Sequence, residues 1–247
     1  MTVHVVIPAR LASTRLPDKP LADLAGMPMV VRVAQQVARS DVESIHVAVD
    51  DERVLRTVLD AGVPALMTRQ DHPAGSDRVM EVAERHQWPD EDVVINVQGD
   101  EPLMPPTVVN FLAGVMADNP ALQLATLAES IEHETDFHDP NVVKVVCDRH
   151  GDALYFSRAP IPYPREPATE LPGVLRHVGV YAFRVGALRD FVSMQGSRLE
   201  SIEKLEQLRW LEAGHKIRVL LSPAPVPGGV DTAEDLARIR KLLAEQV

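Results

Sequence analysis

Near the start of the chain stands Val3-His4-Val5-Val6-Ile7-Pro8-Ala9-Arg10-Leu11-Ala12-Ser13-Thr14-Arg15-Leu16-Pro17-Asp18-Lys19-Pro20. Four of its first five residues are apolar and β-branched, which is typical of a buried strand. The loop that follows carries three cations, Arg10, Arg15 and Lys19, and one acid, Asp18. Because open α/β sheets bind ligands beyond the carboxyl ends of their strands, we expect this loop to hold a polyphosphate.

The charge of the loop is opposite to that of the whole chain, whose formal net charge is −11. A local positive region in an acidic protein attracts an anionic small ligand and disfavours nucleic acid. Small residues such as Ala9, Ala12 and Ser13 leave backbone amides accessible to phosphate, whereas the spaced glycines of a P-loop or a dinucleotide-binding fingerprint are missing. The alternative interpretation is a solvated basic loop.

Composition limits the class of protein. The chain has 247 residues, of which 45% are hydrophobic, and we expect a single domain spanning residues 1–247. Cys147 is the only cysteine, which excludes an internal disulfide and a multi-cysteine zinc site and fits a reducing compartment. The first apolar run is too short for a signal-peptide core, and no later run is long enough for a membrane span. We therefore expect a soluble cytoplasmic protein without membrane insertion.

Short runs rich in valine and isoleucine alternate with helical periods in the first half, which indicates an α/β fold with a mixed, mostly parallel sheet flanked by helices. This is a Rossmann-like, nucleotide-binding type of architecture. Strands are predicted at Val3–Ile7, Ser44–Val49, Pro64–Met67, Val93–Val97 and Leu124–Leu127. Helices are predicted at Met29–Arg39, Glu52–Ala61, Asp77–His86 and Thr107–Ala117.

The pattern changes in the second half. A strand–turn–strand hairpin is predicted around Asp148–Asp152, and the five prolines between Ala159 and Gly173 indicate a stiff extended loop. Residues 140–184 therefore form a candidate protruding arm. The further predicted elements are strands at Val142–Cys147, Ala153–Ser157, Leu175–Arg184 and Ile217–Leu221, and helices at Ser201–Glu212 and Asp231–Glu245, the last with a capping box from Thr232 to Asp235.

Two acids are candidate Mg²⁺ ligands. Asp100 follows a predicted central strand and Gly99, and Asp231 lies beside a glycine-flanked turn that enters a helix. Mg²⁺ prefers a few hard oxygen ligands together with substrate phosphates. The structural alternatives are an Asp100 turn and an Asp231 helix cap.

A second group of residues suits an acidic, hydroxyl-rich co-substrate. His177 and Tyr181 share one strand face, with Gly179 between them to leave space for a ligand. Arg78 and Arg158 are candidate partners of a carboxylate. One face of the predicted helix Ser201–Glu212 carries Glu203, Glu206, Gln207 and Trp210, and the alternative for that face is simple solvation.

Several motifs occur together, in order, over essentially the whole chain. In this arrangement the chain resembles the 3-deoxy-manno-octulosonate cytidylyltransferase family, also called CMP-KDO synthetases. Two motifs are specific to that group, Asn96–Pro102 and Ala153–Arg158. The weaker ones are Ile7–Arg10, Ser13–Pro17, Lys19-Pro20, Met67–Arg69, Asp71-His72, Arg176-His177, Glu203–Arg209 and Gly229–Thr232.

The resemblance implies that CMP is transferred from CTP to the anomeric hydroxyl of KDO, an eight-carbon sugar acid, by a Mg²⁺-assisted in-line attack on the α-phosphate that releases pyrophosphate, in lipopolysaccharide biosynthesis. It also implies a fold of the nucleotide-diphospho-sugar transferase type and a homodimer. The implied catalytic residues are Arg10, Lys19, Asp100 and Asp231, of which Asp100 and Asp231 bind Mg²⁺. The implied nucleotide-binding residues are Pro8, Ala9, Arg10, Ser13, Arg15, Lys19, His72, Ser76 and Asp77. The implied sugar-acid-binding residues are Arg78, Gln98, Arg158, His177, Tyr181, Glu206 and Gln207.

Two departures from the family pattern stand out. Asp18 precedes Lys19 where the family usually has glycine, and we expect this acid to weaken the attraction of Lys19 for the terminal phosphate. Ala74 replaces a serine, which removes a hydroxyl before a helix. Another sugar acid such as a sialic acid, an alcohol phosphate as acceptor, and a non-catalytic nucleotide-binding module of the same fold stay open as alternatives.

Overall fold

The computed structural model of the protein describes residues 1–12, 16–166 and 173–245. Within these ranges the strands join into one sheet with the order β3-β2-β1-β4-β8-β5-β9, and β6 pairs with both β7 and β8. The strands are β1 (Val3–Ala9), β2 (Ser44–Val49), β3 (Ala65–Met67), β4 (Val93–Asn96), β5 (Leu124–Ser130), β6 (Lys144–Cys147), β7 (Ala153–Ser157), β8 (Leu175–Arg184) and β9 (Arg218–Leu221).

Strand direction confirms the mixed, mostly parallel sheet. β1 pairs in parallel with β2 and β4, whereas β8 is antiparallel to β4, β5 and β6. The carboxyl ends of β1 and β4 therefore lie side by side at one edge of the sheet. Chain segments that follow these strands meet there, as expected for a ligand site in an open α/β sheet.

The helices cover the sheet on both faces. One apolar cluster holds Val5 and Ile7 of β1 with residues such as Val30 and Leu112, and a second holds Val6 with Val79 and others. Alternate residues of β1 thus enter opposite cores, because successive side chains of a strand point to opposite faces. The helices are α1 (Met29–Val37), α2 (Glu52–Asp60), α3 (Gly75–Arg85), α4 (Pro106–Asp118), α5 (Glu134–His138), α6 (Val185–Ser193), α7 (Arg198–Glu203), α8 (Leu208–Glu212) and α9 (Ala233–Ala244), with a short 3₁₀ helix at Lys19–Leu21.

The predicted helix Ser201–Glu212 is wrong, because the structure divides this stretch. α7 begins earlier, where the Ser197 hydroxyl accepts a hydrogen bond from Glu200 N–H and the Glu200 carboxylate accepts one from Ser197 N–H. It ends at Glu203, and the next residue, Lys204, has a φ of 54° that places it in the left-handed region. A left-handed residue terminates a helix, and it is usually a glycine. The helical spacing assumed for Glu203, Glu206 and Gln207 therefore does not hold.

Two helices were missed. α6 follows β8 without an intervening loop, and its N-cap is Arg184, whose side chain makes no capping hydrogen bond. α5 has only five residues, and its N-cap, His133, also lacks a side-chain cap. Neither helix carries the Ser, Thr, Asp or Asn start signal on which a helix boundary is normally predicted.

The hairpin prediction is confirmed, since β6 and β7 pair antiparallel and Gly151 adopts a φ of 81° in the connection. Residues 159–166 form neither helix nor strand and are largely exposed, in line with the extended loop predicted there. Residues 167–172 of that loop lie outside the described residues. In the described part of the chain, no helix combines the length and apolar character needed to cross a bilayer.

Candidate active site

A cavity of about 290 Å³ opens at the carboxyl ends of β1 and β4. Its walls come from the end of β1, the segments that follow β1 and β4, the start of α3 and the turn before α9. The predicted residues that line it are Pro8, Ala9, Arg10, Lys19, His72, Arg78, Gln98, Asp100 and Asp231. The predicted phosphate loop and both predicted metal ligands therefore meet at one site. Ser13 and Arg15 lie outside the described residues.

Gly99 allows the loop after β4 to touch the last two residues of β1. A Cβ atom at this position would lie 2.8 Å from the Pro8 carbonyl oxygen, closer than side-chain carbons approach backbone. The requirement for glycine is thus steric, and it does not come from a left-handed φ. This close approach places Gln98 and Asp100 directly beside Pro8 and Ala9 in the cavity wall.

Lys19 joins the two predicted metal ligands. Its Nζ donates to Asp100 Oδ2 at 2.5 Å and to Asp231 Oδ1 at 2.8 Å. Burial alone would lower the pKa of Lys19, but the two carboxylates outweigh it and raise the pKa above its ordinary value. The lysine is therefore a fixed positive charge in the cavity wall.

The turn that carries Asp231 docks on the Asp100 backbone. Val230 N–H donates to the Asp100 carbonyl at 2.9 Å, and a Cβ atom at Gly229 would lie 3.1 Å from the same oxygen. The Asp235 carboxylate accepts hydrogen bonds from the N–H groups of Asp231 and Thr232. The cap of α9 thus belongs to Thr232 and Asp235, which leaves the Asp231 side chain directed to Lys19.

Glu101 lies beside this pair and was not among the predicted site residues. Its Oε2 atom is buried without a hydrogen-bond partner in the described part of the chain. Burial raises the pKa of Glu101 to about 8, and Asp100 reinforces the shift. The sequence signal that could have identified Glu101 is its position directly after Asp100. Two adjacent acids after a strand need not both face solvent.

The donor set fits Mg²⁺. Asp100 and Asp231 offer hard carboxylate oxygens close enough for one ammonium to bridge them, and Glu101 adds an unpaired oxygen nearby. No group of three or more His, Cys, Asp or Glu side chains among the described residues is arranged to hold a metal on its own. A cation here would need further oxygens from a bound phosphate or acid, which is how Mg²⁺ is commonly held.

The phosphate loop is anchored from behind by an acid and an arginine. Asp50 Oδ1 accepts a hydrogen bond from Leu11 N–H at 2.8 Å, and its Oδ2 receives one from Arg78 at 3.2 Å. Arg78 is 3% exposed and also donates to Thr68 Oγ1 and to the Arg69 carbonyl. The structure thus places Arg78 in the cavity wall with its guanidinium already engaged.

Asp18 does not pair with Lys19. Its φ is 51°, a left-handed conformation in which glycine is the least strained residue and Asp is tolerated. Its carboxylate lies 3.3 Å from Arg53, on the exposed side of the loop. The expectation that Asp18 weakens the attraction of Lys19 for the terminal phosphate is therefore not supported by a direct contact between the two side chains.

The start of α3 forms another part of the wall. His72 lines the cavity, and its Nε2 lies 2.5 Å from Glu81 Oε2. Asp77 accepts a hydrogen bond from Ala74 N–H at 3.2 Å, so this carboxylate serves the helix cap. Ser76 is buried and donates to Glu206 Oε1. Neither Ser76 nor Asp77 is part of the cavity lining.

Four of the seven predicted sugar-acid residues lie on β8 or between α7 and α8 and are not part of the cavity lining, namely His177, Tyr181, Glu206 and Gln207. The rings of His177 and Tyr181 lie 5.3 Å apart, which confirms that they share one face of β8. Burial raises the pKa of the Glu206 carboxyl. Gln207 is 5% exposed, and its Nε2 has no hydrogen-bond partner among the described residues.

Arg158 does not reach the cavity. Its Nε donates to the Glu203 carbonyl at 2.7 Å and its Nη1 to the Pro140 carbonyl at 2.9 Å. Glu203 in turn accepts bonds from Ser157 Oγ and Arg158 N–H. These contacts link the end of β7 to α7, and they give both side chains a structural part in this arrangement.

Several lining residues were not among the predicted site residues, although Ala12 was expected to leave backbone amides accessible to phosphate. Their side chains are apolar or absent and carry no chemical signal, and they shape the cavity. They are Ala12, Pro20, Met29, Pro73, Ala74, Gly75 and Gly99.

Comparison with known proteins gives consistent results. A family model described as cytidylyltransferase matches residues 4–217. The 3-deoxy-manno-octulosonate cytidylyltransferase of Alcanivorax borkumensis is 51% identical, with all of both chains covered. The enzyme of the same name from Methylibium petroleiphilum is 48% identical over 98% of this chain and 96% of its own.

Two solved structures are similar. CMP:2-keto-3-deoxy-manno-octonic acid synthetase in complex with CTP superimposes with a TM-score of 0.93 at 42% identity and full coverage of both chains. A cytidylyltransferase from Leptospira borgpetersenii gives a TM-score of 0.63 at 14% identity, over 100% of this chain and 95% of that one, and shows a shared fold alone.

Proposed function

This chain belongs to the cytidylyltransferase family, and we propose that it transfers CMP from CTP to 3-deoxy-D-manno-octulosonate (KDO), releasing pyrophosphate. Relatives carrying that activity in their names match over the full length, and the similar structure at 42% identity is complexed with CTP. The observation that carries the proposal is a contact in the cavity: Lys19 donates hydrogen bonds to both Asp100 and Asp231, beside the cationic loop.

The triphosphate would occupy the cavity at the carboxyl ends of β1 and β4. Arg10 and Lys19 supply positive charge there, and Pro8, Ala9 and Gly99 allow close approach to the backbone. We place Ser13 and Arg15 of the same loop with them as further nucleotide contacts. His72 faces the same cavity, with Ser76 and Asp77 behind it, and is our candidate for contact with the cytosine base.

The sugar acid would bind beside the nucleotide, against Gln98, His177 and Tyr181. Glu206 and Gln207 offer polar atoms for its hydroxyls. Arg78 and Arg158 are already bonded to protein groups, so we propose that they keep this pocket electropositive and take a carboxylate only through the N–H groups that remain.

The reaction is an in-line displacement. The anomeric hydroxyl oxygen forms a bond to the α-phosphorus, and the bond from that phosphorus to the oxygen bridging to the β-phosphate breaks. Pyrophosphate leaves with the electron pair of that bond, and the hydroxyl proton passes to water. The protein contributes by aligning the two substrates and neutralising charge. Mg²⁺ held by Asp100 and Asp231 would supply charge neutralisation at the phosphate and the hydroxyl.

A coupled pyrophosphate assay tests the proposed function. Purified protein is supplied with Mg²⁺ and each pairing of CTP or UTP with KDO or a sialic acid. We expect release with CTP and KDO far above the other pairs. Pyrophosphate release with CTP and sialic acid but not with KDO would identify sialic acid as the acceptor. The absence of release with every pair overturns the proposal.

Replacing Asp100 tests the metal ligands. We expect Asp100→Ala to lower kcat on the order of 100-fold at saturating Mg²⁺, because a charge-stabilising group at the reacting phosphate is lost. Asp60→Ala, at the exposed end of α2, is the control and should keep wild-type activity. Near wild-type pyrophosphate release by Asp100→Ala contradicts the metal assignment.

We also propose that the chain forms a homodimer through its arm. Leu154 on β7 is 63% exposed and Tyr163 in the following loop is 83% exposed, so apolar surface is available there. Light scattering of the purified protein measures its mass, and a monomer at micromolar concentration contradicts this proposal.

A further inference from the structure

Thr126 lies in β5 with its side chain fully buried, and its hydroxyl has three polar neighbours. Oγ1 lies 2.9 Å from His177 Nε2, 2.8 Å from the Val180 carbonyl oxygen and 3.2 Å from the Val178 carbonyl oxygen. The pairing register between β5 and β8 shifts between Thr126 and Leu127. This irregularity brings two carbonyls of β8 to a single hydroxyl.

The number of hydrogens decides which group donates. A carbonyl oxygen only accepts hydrogen bonds, and a threonine hydroxyl has one proton to give. The proton of Thr126 must go to the carbonyls, because an oxygen–oxygen distance of 2.8 Å without a hydrogen between the atoms is repulsive. His177 Nε2 therefore donates to Thr126 Oγ1, which requires the tautomer that carries its proton on Nε2.

The other ring nitrogen is left as an acceptor. No hydrogen bond involves His177 Nδ1 in the described part of the chain, and the ring is held edge-on by Phe156 at 5.0 Å between centroids. Burial lowers the pKa of His177 to about 3, so the imidazole is neutral at physiological pH. A neutral ring with its proton on Nε2 presents a lone pair at Nδ1.

We propose that Thr126 is a positioning residue that holds His177 as the Nε2–H tautomer, so that Nδ1 accepts a hydrogen bond from a hydroxyl of the sugar acid. The identity of that hydroxyl donor rests on the proposed function, whereas the tautomer does not. Space for such a ligand exists on the same stretch of β8, since a Cβ atom built at Gly179 would meet nothing within 4 Å.

Two variants of Thr126 separate the effect of its hydroxyl group from the effect of its side-chain shape. Thr126→Val keeps the size and branching of threonine and removes the hydroxyl, whereas Thr126→Ser keeps the hydroxyl. The first readout is nitrogen-15 NMR of the histidine side chains in the free protein, with the His177 signal assigned by its loss in His177→Gln. The second readout is steady-state kinetics with CTP and KDO, together with the melting temperature of each variant.

We expect the wild-type ring and that of Thr126→Ser to carry the proton on Nε2, and that of Thr126→Val to populate the other tautomer. Loss of one well-oriented hydrogen bond should raise the KM for KDO about 3- to 10-fold in Thr126→Val, with the KM for CTP unchanged. Thr126→Ser should restore most of the difference.

Each contrary result has its own meaning. A wild-type His177 protonated on Nδ1 overturns the positioning role, even if Thr126→Val does not fold. A Thr126→Val variant that changes tautomer and keeps the wild-type KM for KDO overturns the contact between Nδ1 and the sugar acid. Wild-type protein without CTP-dependent pyrophosphate release from KDO overturns the proposed function instead and leaves the tautomer result standing.

Discussion

His46 shows how a single titratable residue sets a stability limit away from the active site. It lies on β2 with its ring 4.3 Å from that of His86 and 5.8 Å from that of Trp88, while His4 stacks on Trp88 at 3.9 Å. Burial lowers the pKa of His46 from 6.5 to about 4, and the neighbouring histidines add to the effect. The folded protein therefore resists protonation of this ring.

We predict that the free energy of unfolding falls as the pH drops from about 6.5 towards 4. In that window His46 is protonated in the unfolded chain and neutral in the folded chain. Lowering the pH therefore decreases the free energy of unfolding by on the order of 1 kcal/mol per pH unit. Urea titrations of the wild type and of His46→Phe across this range measure the effect. The variant should show a flatter pH dependence, and equal slopes in the two proteins contradict the assignment.

Among the helices, α3 begins with half of a capping box. Its N-cap is Ala74, with φ −137° and ψ 170°, and the Asp77 carboxylate accepts a hydrogen bond from Ala74 N–H. Alanine has no oxygen to accept a bond in return. α7 shows the complete arrangement with Ser197 and Glu200.

We predict that Ala74→Ser stabilises the protein by about 1 kcal/mol, since a serine hydroxyl at this extended N-cap can accept the free N–H of the first helical turn. Chemical denaturation of Ala74→Ser and of Ser197→Ala measures the free energy of unfolding when a cap is added to α3 and when one is removed from α7. The second substitution removes an existing cap and should destabilise by a similar amount. An Ala74→Ser variant no more stable than the wild type contradicts this account of the α3 cap.

For the whole molecule, the decisive contact joins three distant parts of the chain. Lys19 is 81 residues from Asp100 and 212 residues from Asp231, and its ammonium lies between their carboxylates. A divalent cation bound by the same two acids must compete with that ammonium. A nucleotide triphosphate would offer Lys19 an alternative partner and would supply further oxygens to the cation.

We therefore predict that CTP strengthens Mg²⁺ binding, and Mg²⁺ strengthens CTP binding, by about 10-fold each, since coupling between two ligands is reciprocal. Isothermal titration with Mg²⁺, with and without a non-hydrolysable CTP analogue, measures the coupling. Lys19→Met should bind Mg²⁺ more tightly than the wild type in the absence of nucleotide, with Lys204→Met as the control. Equal Mg²⁺ affinity of the wild type with and without nucleotide contradicts the competition.

Local sequence patterns were sufficient for most of the sheet and for the parts of the cavity next to it. β1 and β4 are short apolar runs, and the charged or acidic loops directly after them had to lie at one edge once the strands were parallel. Helix boundaries were less accessible. The helix break at Lys204 could not be predicted, because no glycine marks it. A lysine adopts the left-handed conformation only where the surrounding structure stabilises it.

By itself the sequence determined the α/β class, the parallel core of the sheet, the cationic loop and the two acids, since each follows from periodicity or from residues adjacent along the chain. Only the tertiary structure decided the partners of those side chains: Lys19 between two acids, Arg78 on Asp50, Arg158 on backbone carbonyls, and Thr126 on His177. The reason is physical. A hydrogen bond between residues tens or hundreds of positions apart depends on distances and burial that no local pattern encodes, and competing partners are chosen only when the core brings them together.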